Sequence, residues 1–492
     1  MDRRRAGAIS VASLAVVVAG AVLFATRLGA LPSGTDSAAL FVVAAIIVVC
    51  LALTVDPAWI LSAGIVATMF AGHWQDIGVQ SSFGPHRLLL AVGALAVLLR
   101  LPPARERPRL ELGPVHYVLA AAVAYALVSA ILAGTIGRRA SQFVLLDDYG
   151  VLPFLMFLVA PVAFHTERQR KILLGTLMVV GGYLAVTAIL EQLGLYNLVF
   201  PSYIGDQTIG THFGRARGPF VEAGADGLAL YACAVAAAIA MFSWRGRWPR
   251  AAAGAVVLLA PVGLLLTVTR SIWIAGAAAT AVAMLSTPGL RRYLVPLFVA
   301  GAAAVLVAFA IIPGLEHKAT KRETDKTSVW ERQNTTAAGL RMVAARPLLG
   351  FGWDRADDRL EPYFRQEPNI PLRGARAGLH NVYLQYGVGL GLLGLGLWLL
   401  GGALAIRGAF TGRTPPELRP WAIGLKAILV AWVLVGLSTP ASYIFSTVVL
   451  WTWAGIANGP PGARRLWLPS QLDGGATTWS RLHGNPARTS SG

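Results

Sequence analysis

The sequence predicts an all-α polytopic membrane protein with about 12–14 transmembrane helices and one large extracytoplasmic loop that contains short helices. Hydrophobic residues make up 55% of the 492 residues, charged residues make up 13%, and the mean hydropathy is +0.61. Apolar runs recur along the chain, and most are long enough to cross a hydrocarbon core about 30 Å thick. Porin-like barrels are excluded, because their strands alternate in segments of roughly ten residues.

The apolar runs divide the chain into four parts. Residues 1–312 predict about 11 N-terminal spans, and residues 380–458 predict about three more. Between them, residues 313–379 form a long polar interval. Connections between helices are usually short, and longer ones tend to carry function. Residues 459–492 are rich in Gly, Ser, Thr and Pro, and this composition predicts a disordered tail.

The positions of Lys and Arg predict the orientation of the spans. A net charge of +18 could suggest a nucleic-acid partner, but many basic residues fall in alternate short loops, as the positive-inside rule requires. We therefore expect no nucleic acid, both termini in the cytoplasm, and the loop 313–379 outside the cytoplasmic (inner) membrane. Cys50 and Cys233 both lie in apolar runs, so neither a disulfide nor a metal site is expected.

Three arginines lie where the topology does not favour a cation. Arg215 and Arg217 occupy a glycine-punctuated turn before the eighth span, and Arg270 stands between two apolar runs. An ionisable residue at membrane depth is a functional candidate by default, and guanidinium groups bind phosphate oxygens bidentately. The alternatives are that Arg215 and Arg217 bind lipid phosphates, and that Arg270 extends its side chain to the headgroups.

The large loop and its junction with the next apolar run add further candidates. The segment Glu331–Arg346 favours a helix that carries Arg332 and is stopped by Pro347. His380 and Asn381 then precede an apolar helix. A histidine at a helix start is more often structural than catalytic, yet its neutral ring suits proton abstraction near pH 7. Several external arginines with one candidate base suit a lipid-linked donor, whose pyrophosphate leaves once its charge is neutralised.

Four sequence blocks occur in order: RxxGPF at Arg215–Phe220, LTVTRSIWIA around Arg270, ERQNTTAAGLRMVAARPLLGFG, and HNVYLQYGVGLGLLGLG from His380. Together they resemble the bacterial O-antigen ligase and O-antigen polymerase superfamily. The resemblance implies a membrane glycosyltransferase of the C type that transfers a glycan from undecaprenyl pyrophosphate to an acceptor without a metal or cofactor. The chain departs from the family at Ala223–Gly224, where Pro-Asn is frequent.

The resemblance also implies roles for individual residues. Arg215, Arg270 and Arg332 would hold the pyrophosphate, and His380 would be the base. We expect Arg217 and Asn381, which stand beside two of these residues, to take part in substrate binding.

Several functions remain open from the sequence. A ligase would use a lipid or protein acceptor, whereas a polymerase would use another growing glycan. A transporter or flippase would place ionisable residues near the bilayer midplane on broken helices, but here they lie mostly at span ends, with Lys426 as the main exception. A third alternative is a non-catalytic assembly or sensor protein that binds a partner through its large loop. Membrane lipids are expected partners in each case.

Overall fold

A computed structural model describes residues 50–80, 83–99, 112–311, 314, 320, 327–366, 370–372, 378–411, 414–439 and 443–459. These residues form helices and loops, with no β-strand among them, so the predicted all-α fold is confirmed. The predicted first span and the C-terminal tail lie outside the described residues.

Each apolar run that was predicted as a span from residue 57 onward forms a helix. Within the described residues, eight helical segments are long and apolar enough to cross a membrane, and four shorter apolar helices accompany them. The helices are α1 (Pro57–Ala67), α2 (Pro85–Leu99), α3 (Pro114–Leu132), α4 (Arg139–Val144), α5 (Val151–Ala163), α6 (Glu167–Gln192), α7 (Ala223–Ser243), α8 (Arg247–Leu266), α9 (Arg270–Leu285), α10 (Leu294–Ile311), α11 (Thr327–Ala345), α12 (Val382–Phe410), α13 (Arg419–Gly436) and α14 (Ile444–Asn458).

Helix α7 lies at the centre of the bundle and packs against α6, α8, α9, α13 and α14. Small residues allow these helices to approach closely, as is typical of helix contacts in membranes. A Cβ atom at Gly181 of α6 would lie 2.8 Å from Cβ of Cys233 in α7. A Cβ atom at Gly263 of α8 would lie 2.5 Å from the Leu230 side chain. The glycines and alanines of this region therefore set the spacing of the core.

Helix α10 stands apart from the rest of the bundle, and none of its residues is buried. Its apolar residues Val305, Ala308 and Phe309 touch a small cluster around Leu266 and Val268, where α8 turns into α9. An apolar helix exposed on nearly all sides suits a position surrounded by lipid. Helix α10 leads directly into the large loop.

Helices α4 and α5 form one continuous segment through a π-helical turn, Leu145–Tyr149. The apolar run of this segment begins near residue 149, whereas the helix already begins at Arg139. The early start buries Asp147, whose carboxylate accepts hydrogen bonds from the Arg87 guanidinium at 2.5–3.1 Å. A buried carboxylate is tolerated when a cation pairs with it.

The predicted helix in the large loop is present as α11, and the PLLGFG turn that follows it docks on α12. Helix α12 is interrupted at Gly391, where φ is 68° and ψ is −177°. The interruption frees the carbonyl groups of Val388 and Gly389, which accept hydrogen bonds from the amides of Phe351 and Gly352, both at 2.9 Å. Because these two carbonyl groups have new partners, the interruption is compatible with a membrane helix.

The loop also contacts the ends of α3 and α4. The Trp353 indole nitrogen donates to the carbonyl oxygen of Ser141 at 3.1 Å, and the Trp353 amide donates to the Ser129 hydroxyl at 3.0 Å. An ion pair between Arg138 and Asp358, at 2.8 Å, lies beside this anchor. The described part of the loop therefore rests on the bundle.

Several long described loops lie at one end of the bundle, and we call this end the loop face. The His73 ring stacks on the Tyr203 ring with centroids 5.0 Å apart, and Asn381 contacts Leu437. The loop face is the end that the charge distribution predicts to be extracytoplasmic. It is built from segments 71–80, 193–222, 346–366, 378–381 and 437–439, together with Tyr443.

Candidate active site

A cleft opens at the loop face between the starts of α7 and α12 and the end of α13. Apart from the Trp432 indole and the hydroxyl groups of Thr439 and Tyr443, its walls are apolar. Charged groups must therefore reach the cleft from its rim. The lining residues are Leu228, Val382, Trp432, Val435, Gly436, Thr439 and Tyr443.

Asn381 fixes the start of α12 on one side of the cleft. Its side-chain oxygen accepts a hydrogen bond from the Leu384 amide at 3.0 Å, which is an N-cap interaction. Its side-chain nitrogen donates to the Leu437 carbonyl oxygen at 3.3 Å, and so ties α12 to the end of α13. Asn381 therefore positions its neighbour His380, and its contact with substrate stays a prediction.

His380 lies next to this cap, two residues before Val382 of the cleft wall. Its side chain is half-buried, and its Nδ1 atom is buried with no hydrogen-bond partner in the part of the chain that the structure describes. The preceding residue is fixed, because the Leu379 amide donates to the Asp357 carboxylate at 3.2 Å. A neutral imidazole carries one basic nitrogen, which can accept a proton from a bound molecule.

Arg332 lies on α11, and α11 packs on the start of α12. A Cβ atom at Gly339 would lie 2.6 Å from the Leu384 side chain, so this glycine lets α11 approach closely. The Arg332 guanidinium interacts electrostatically with the Tyr443 hydroxyl of the cleft wall. No carboxylate among the described residues forms an ion pair with Arg332. Its charge is therefore available to an anionic ligand.

Arg270 is the first residue of α9, and its side chain is exposed. Within the described ranges it makes neither a hydrogen bond nor an ion pair. Two residues later, Ile272 packs so closely against α7 that a Cβ atom at Gly227 would lie 2.6 Å from it. Ile272 also belongs to the apolar cluster that includes Leu228 of the cleft. Arg270 thus stands on the cleft rim.

The turn that carries Arg215 lies beside the turn that precedes Arg270. The Ala216 amide donates to the Leu266 carbonyl oxygen at 3.1 Å, and Ala216 packs with Val268 in one apolar cluster. Val268 has φ of 47°, a left-handed conformation that is strained for a β-branched residue. This sharp turn allows α9 to begin at Arg270. The structure therefore brings the turns of Arg215 and Arg270 together, as the proposed site requires.

Arg217 has a different environment from Arg215, although it is only two residues away. Its side chain is 1% exposed, and its guanidinium donates to four backbone carbonyl groups. A guanidinium has five N–H donors, so it can hold a loop together in this way. We therefore leave Arg217 out of the proposed site, because a buried group with these partners cannot reach a substrate. The four acceptors are the carbonyl oxygens of Ile204, Asp206, Ile209 and Thr211, at 2.8–3.3 Å.

Two residues of the site, Glu222 and Tyr443, were not singled out from the sequence. The Glu222 carboxylate accepts hydrogen bonds from the Thr211 hydroxyl and from the Gly224 amide at 3.2 Å. The Tyr443 hydroxyl lies on the other side of Gly224. Gly224 leaves room for it, since a Cβ atom there would lie 2.5 Å from the Tyr443 hydroxyl oxygen. The departure from the family pattern at Ala223–Gly224 was the one signal in the sequence that pointed to this place.

Arg270 and Arg332 lie on helices that pack against those of the cleft wall, and His380 lies two residues before Val382. The turn of Arg215 lies beside the turn that precedes Arg270. In the described part of the molecule, no group of three or more His, Cys, Asp or Glu residues is arranged to hold a metal ion. The cleft and its surroundings therefore present cations, one unpartnered imidazole nitrogen and one phenol.

Comparison with known protein families gives one match for this chain. Residues 254–399 match the O-antigen ligase family model. The match confirms the predicted O-antigen ligase and polymerase superfamily. A search of curated proteins finds no match. The O-antigen ligase segment, residues 254–399, begins in α8 and ends in α12, and it includes the turn that docks on the interrupted helix. It contains four of the residues predicted for the site: Arg270, Arg332, His380 and Asn381.

Proposed function

We propose that this protein transfers a glycan from a polyprenyl (undecaprenyl) pyrophosphate donor to an acceptor hydroxyl on the outer face of the cytoplasmic membrane. The observation that carries the proposal is the unpartnered ring nitrogen of His380 beside the cleft. Arg270 and Arg332, neither of them paired with a carboxylate of the described residues, lie on helices that pack against the helices of the cleft wall. The O-antigen ligase match supports a glycan-processing ligase or polymerase activity that uses lipid-linked donors and glycan acceptors.

The arginines would bind the two phosphates of the donor. Arg270 and Arg332 approach from α9 and α11, so a pyrophosphate between them would contact cations on two sides. Arg215, beside the turn of Arg270, would add a third. Guanidinium groups form paired hydrogen bonds to phosphate oxygens and stay charged at any physiological pH. Fixed cations of this kind stabilise the charge that develops on a leaving pyrophosphate.

His380 would activate the acceptor. As the acceptor oxygen attacks the anomeric carbon, His380 takes the hydroxyl proton, and the bond from that carbon to the phosphate oxygen breaks. The bonding electron pair stays with the polyprenyl pyrophosphate. Attack on the face opposite the leaving group inverts the anomeric configuration. Asn381 would hold His380 in place through its cap of α12.

The loop face would lie outside the cytoplasmic membrane, with the loop 313–379 extracytoplasmic and both termini cytoplasmic. The distribution of basic residues supports this orientation. A polymerase that extends a growing glycan is the alternative within the same superfamily. A transporter would need its broken helix to face a substrate, whereas the carbonyl groups freed in α12 are occupied by the amides of Phe351 and Gly352.

The test is transfer by the purified protein in lipid nanodiscs. The substrates are an undecaprenyl-pyrophosphate oligosaccharide and a panel of lipid, protein and glycan acceptors. We expect His380→Ala to lower the turnover number at least a hundredfold, since general-base catalysis contributes about 10²–10⁴-fold. Arg270→Ala should weaken donor binding, and a metal chelator should have no effect. His165→Ala and Arg250→Ala, at the opposite end of the bundle, are matched controls.

Two results would contradict the proposal. One is wild-type transfer by folded His380→Ala and Arg270→Ala proteins. The other is reversed sidedness in thiol labelling of intact cells, in a Cys50→Ser background. There, Leu340→Cys on α11 should react with an impermeant reagent, whereas Trp248→Cys at the start of α8 should not. Both positions are exposed, so accessibility alone does not separate them.

A further inference from the structure

We infer that a second cavity, between the large loop and α12, binds the acceptor through two neighbouring hydroxyl groups of an uncharged sugar ring. This inference rests on the proposed function and names the chemistry of its acceptor. Three features of the structure support it: the polar groups of the cavity, its size, and its link to His380. The wall includes Val144, Trp353, Asp354, Asp357, Gln385 and Tyr386.

The carboxylates of Asp354 and Asp357 give the cavity its capacity to accept hydrogen bonds. Both residues are exposed, and neither forms an ion pair with another described residue. The nearby arginines, Arg138 and Arg355, pair instead with Asp358, at 2.8 and 3.0 Å. An ionised carboxylate only accepts hydrogen bonds, so it binds the O–H groups of a sugar and repels the phosphates of the donor.

The rest of the wall and the size of the cavity suit one edge of a sugar ring. Gln385 supplies an amide, which can both donate and accept. The rings of Trp353 and Tyr386, nearly parallel with centroids 6.3 Å apart, form an apolar side. The cavity has a volume of ≈ 30 Å³. Because one water molecule needs about 10–15 Å³, two hydroxyl groups fit inside while the rest of the ring lies in the open mouth.

A buried hydroxyl group borders the cavity and has no hydrogen-bond partner within the described ranges. Ser141 stands one turn before Val144 on the same face of α4, and its carbonyl oxygen accepts from the Trp353 indole. The residue is 1% exposed. Burial raises the pKa of Asp354 and the Ser141 hydroxyl partly offsets this, yet no hydrogen bond of normal geometry joins the two groups. Such an unpaired buried group is explained when a bound molecule supplies the partner.

The cavity is linked to the candidate base through Asp357. Its Oδ1 atom accepts a hydrogen bond from the Leu379 amide at 3.2 Å, and Leu379 directly precedes His380. The cavity also adjoins the cleft along α12, because Tyr386 of the cavity stands one turn after Val382 of the cleft. One turn advances about 5.4 Å along a helix. A sugar held in the cavity would therefore lie close both to the base and to the donor.

The direct test is Asp354→Asn, which keeps the shape of the side chain and removes its charge. Asn adopts the left-handed conformation of this position, with φ of 55°, as readily as Asp. The probes are methyl glycosides of hexoses, deoxyhexoses and N-acetylhexosamines, and saturation-transfer NMR in nanodiscs measures their binding. We expect the Kd of a bound glycoside to rise about fivefold to tenfold, as when a neutral acceptor replaces a charged one. Asp358→Asn, at the carboxylate paired with two arginines, is the matched control and should keep the wild-type Kd.

A second variant fills the cavity without removing a polar group. Val144→Phe adds a ring at a half-buried position of the wall, and we expect at least a tenfold loss of glycoside binding. Leu132→Phe, a similar enlargement at a residue of α3 that is 83% exposed, is its control. In the transfer assay, Val144→Phe and Asp354→Asn should both raise the KM for the acceptor and leave the Kd of undecaprenyl pyrophosphate unchanged.

The outcomes distinguish this inference from the proposed function. If the wild type transfers glycan but binds no glycoside, or if both variants keep the wild-type KM for the acceptor, the inference is overturned and the proposed function stands. A raised KM for the donor alone would also overturn it, because the cavity would then hold the sugar of the donor. So would calorimetry that finds Ca²⁺ bound at Asp354 in place of a glycoside. Glycoside binding that depends on Asp354, without transfer from any donor, would leave the sugar site in place and contradict the proposed function.

Discussion

The Gly352 amide donates a hydrogen bond to the Gly389 carbonyl oxygen over 2.9 Å, and this contact joins the large loop to a membrane helix that is interrupted two residues later. Loop and helix depend on each other here. The helix supplies the acceptors that the interruption frees, and the loop supplies the donors that make the interruption tolerable in an apolar environment.

Gly391→Ala should therefore destabilise the protein. Its φ of 68° is strained for any residue with a side chain, by roughly 1–3 kcal/mol. A Cβ atom there would also lie 2.1 Å from the Leu348 carbonyl oxygen, so the loop would have to move. Thermal unfolding in nanodiscs measures the effect. Gly396→Ala, in the same helix with no atom within 4 Å of the added Cβ, should unfold like the wild type.

Arg217 and Arg215 should respond differently to the same substitution. Arg217→Lys replaces a fork of five donors by a point charge with three, so the four carbonyl groups of the loop cannot all be satisfied. We expect a lower unfolding temperature and faster proteolysis of the segment 199–222. Arg215→Lys, at a less buried side chain, should lower the unfolding temperature by less than Arg217→Lys and should weaken binding of the pyrophosphate lipid. Equal losses of stability in both variants would contradict this assignment.

Asn381 offers a test of how His380 is positioned. Asn381→Asp keeps an oxygen that accepts from the Leu384 amide but loses the donor to the Leu437 carbonyl. Asn381→Ala loses both contacts, and the missing cap alone should cost about 1 kcal/mol of stability. We expect turnover to fall in the order wild type, Asn381→Asp, Asn381→Ala, with little change in the Kd of the donor. The steady-state kinetics of glycan transfer give this order. A changed donor Kd with unchanged turnover would indicate direct substrate contact.

The ion pair between Arg138 and Asp358 should stabilise the loop anchor in a pH-dependent way. The hydrogen bond from Arg138 lowers the pKa of Asp358, so the unfolded chain binds this proton more tightly than the folded protein. The stabilisation is therefore present above the ordinary aspartate pKa of about 3.9 and is lost as the pH falls through the folded value. Both side chains are exposed, which limits the contribution to about 1 kcal/mol.

Asp358→Asn tests this dependence. The difference in unfolding free energy from the wild type should be constant between about pH 5 and pH 7 and should vanish in stronger acid. Gly396→Ala, which removes no ionisable group, is a control that should show no such trend. A difference that persists unchanged at low pH would assign the effect to packing.

The apolar runs predicted the helices well, because length and hydropathy decide whether a segment can enter a membrane. They did not predict that the α4–α5 segment begins at Arg139 and buries Asp147. Its partner, Arg87, lies on α2, and a pairing across two distant segments leaves no local pattern in the sequence. The same limit applies to Glu222 and Tyr443, whose approach to Gly224 depends on where α7 and α14 begin in space.

The site residues were likewise predicted only in part from the sequence. The sequence supported an arginine-rich turn before α7 but could not separate Arg215 from Arg217. The difference arises only when the loop 199–222 closes and surrounds one guanidinium with carbonyl groups. Arg270, Arg332 and His380 were predicted together on the strength of motif order, and the fold brings their helices to one cleft.

None of the residues of helix α10 is buried, so we expect lipid to surround most of this helix. Its position is set by the bilayer around it and by three side chains near the turn before Arg270. Bilayer thickness and acyl-chain packing therefore become structural parameters of the site, in the way that a partner subunit would be for a soluble enzyme. Detergent that replaces those lipids should change donor binding even where every helix stays folded, so the membrane mimetic belongs among the variables of each measurement.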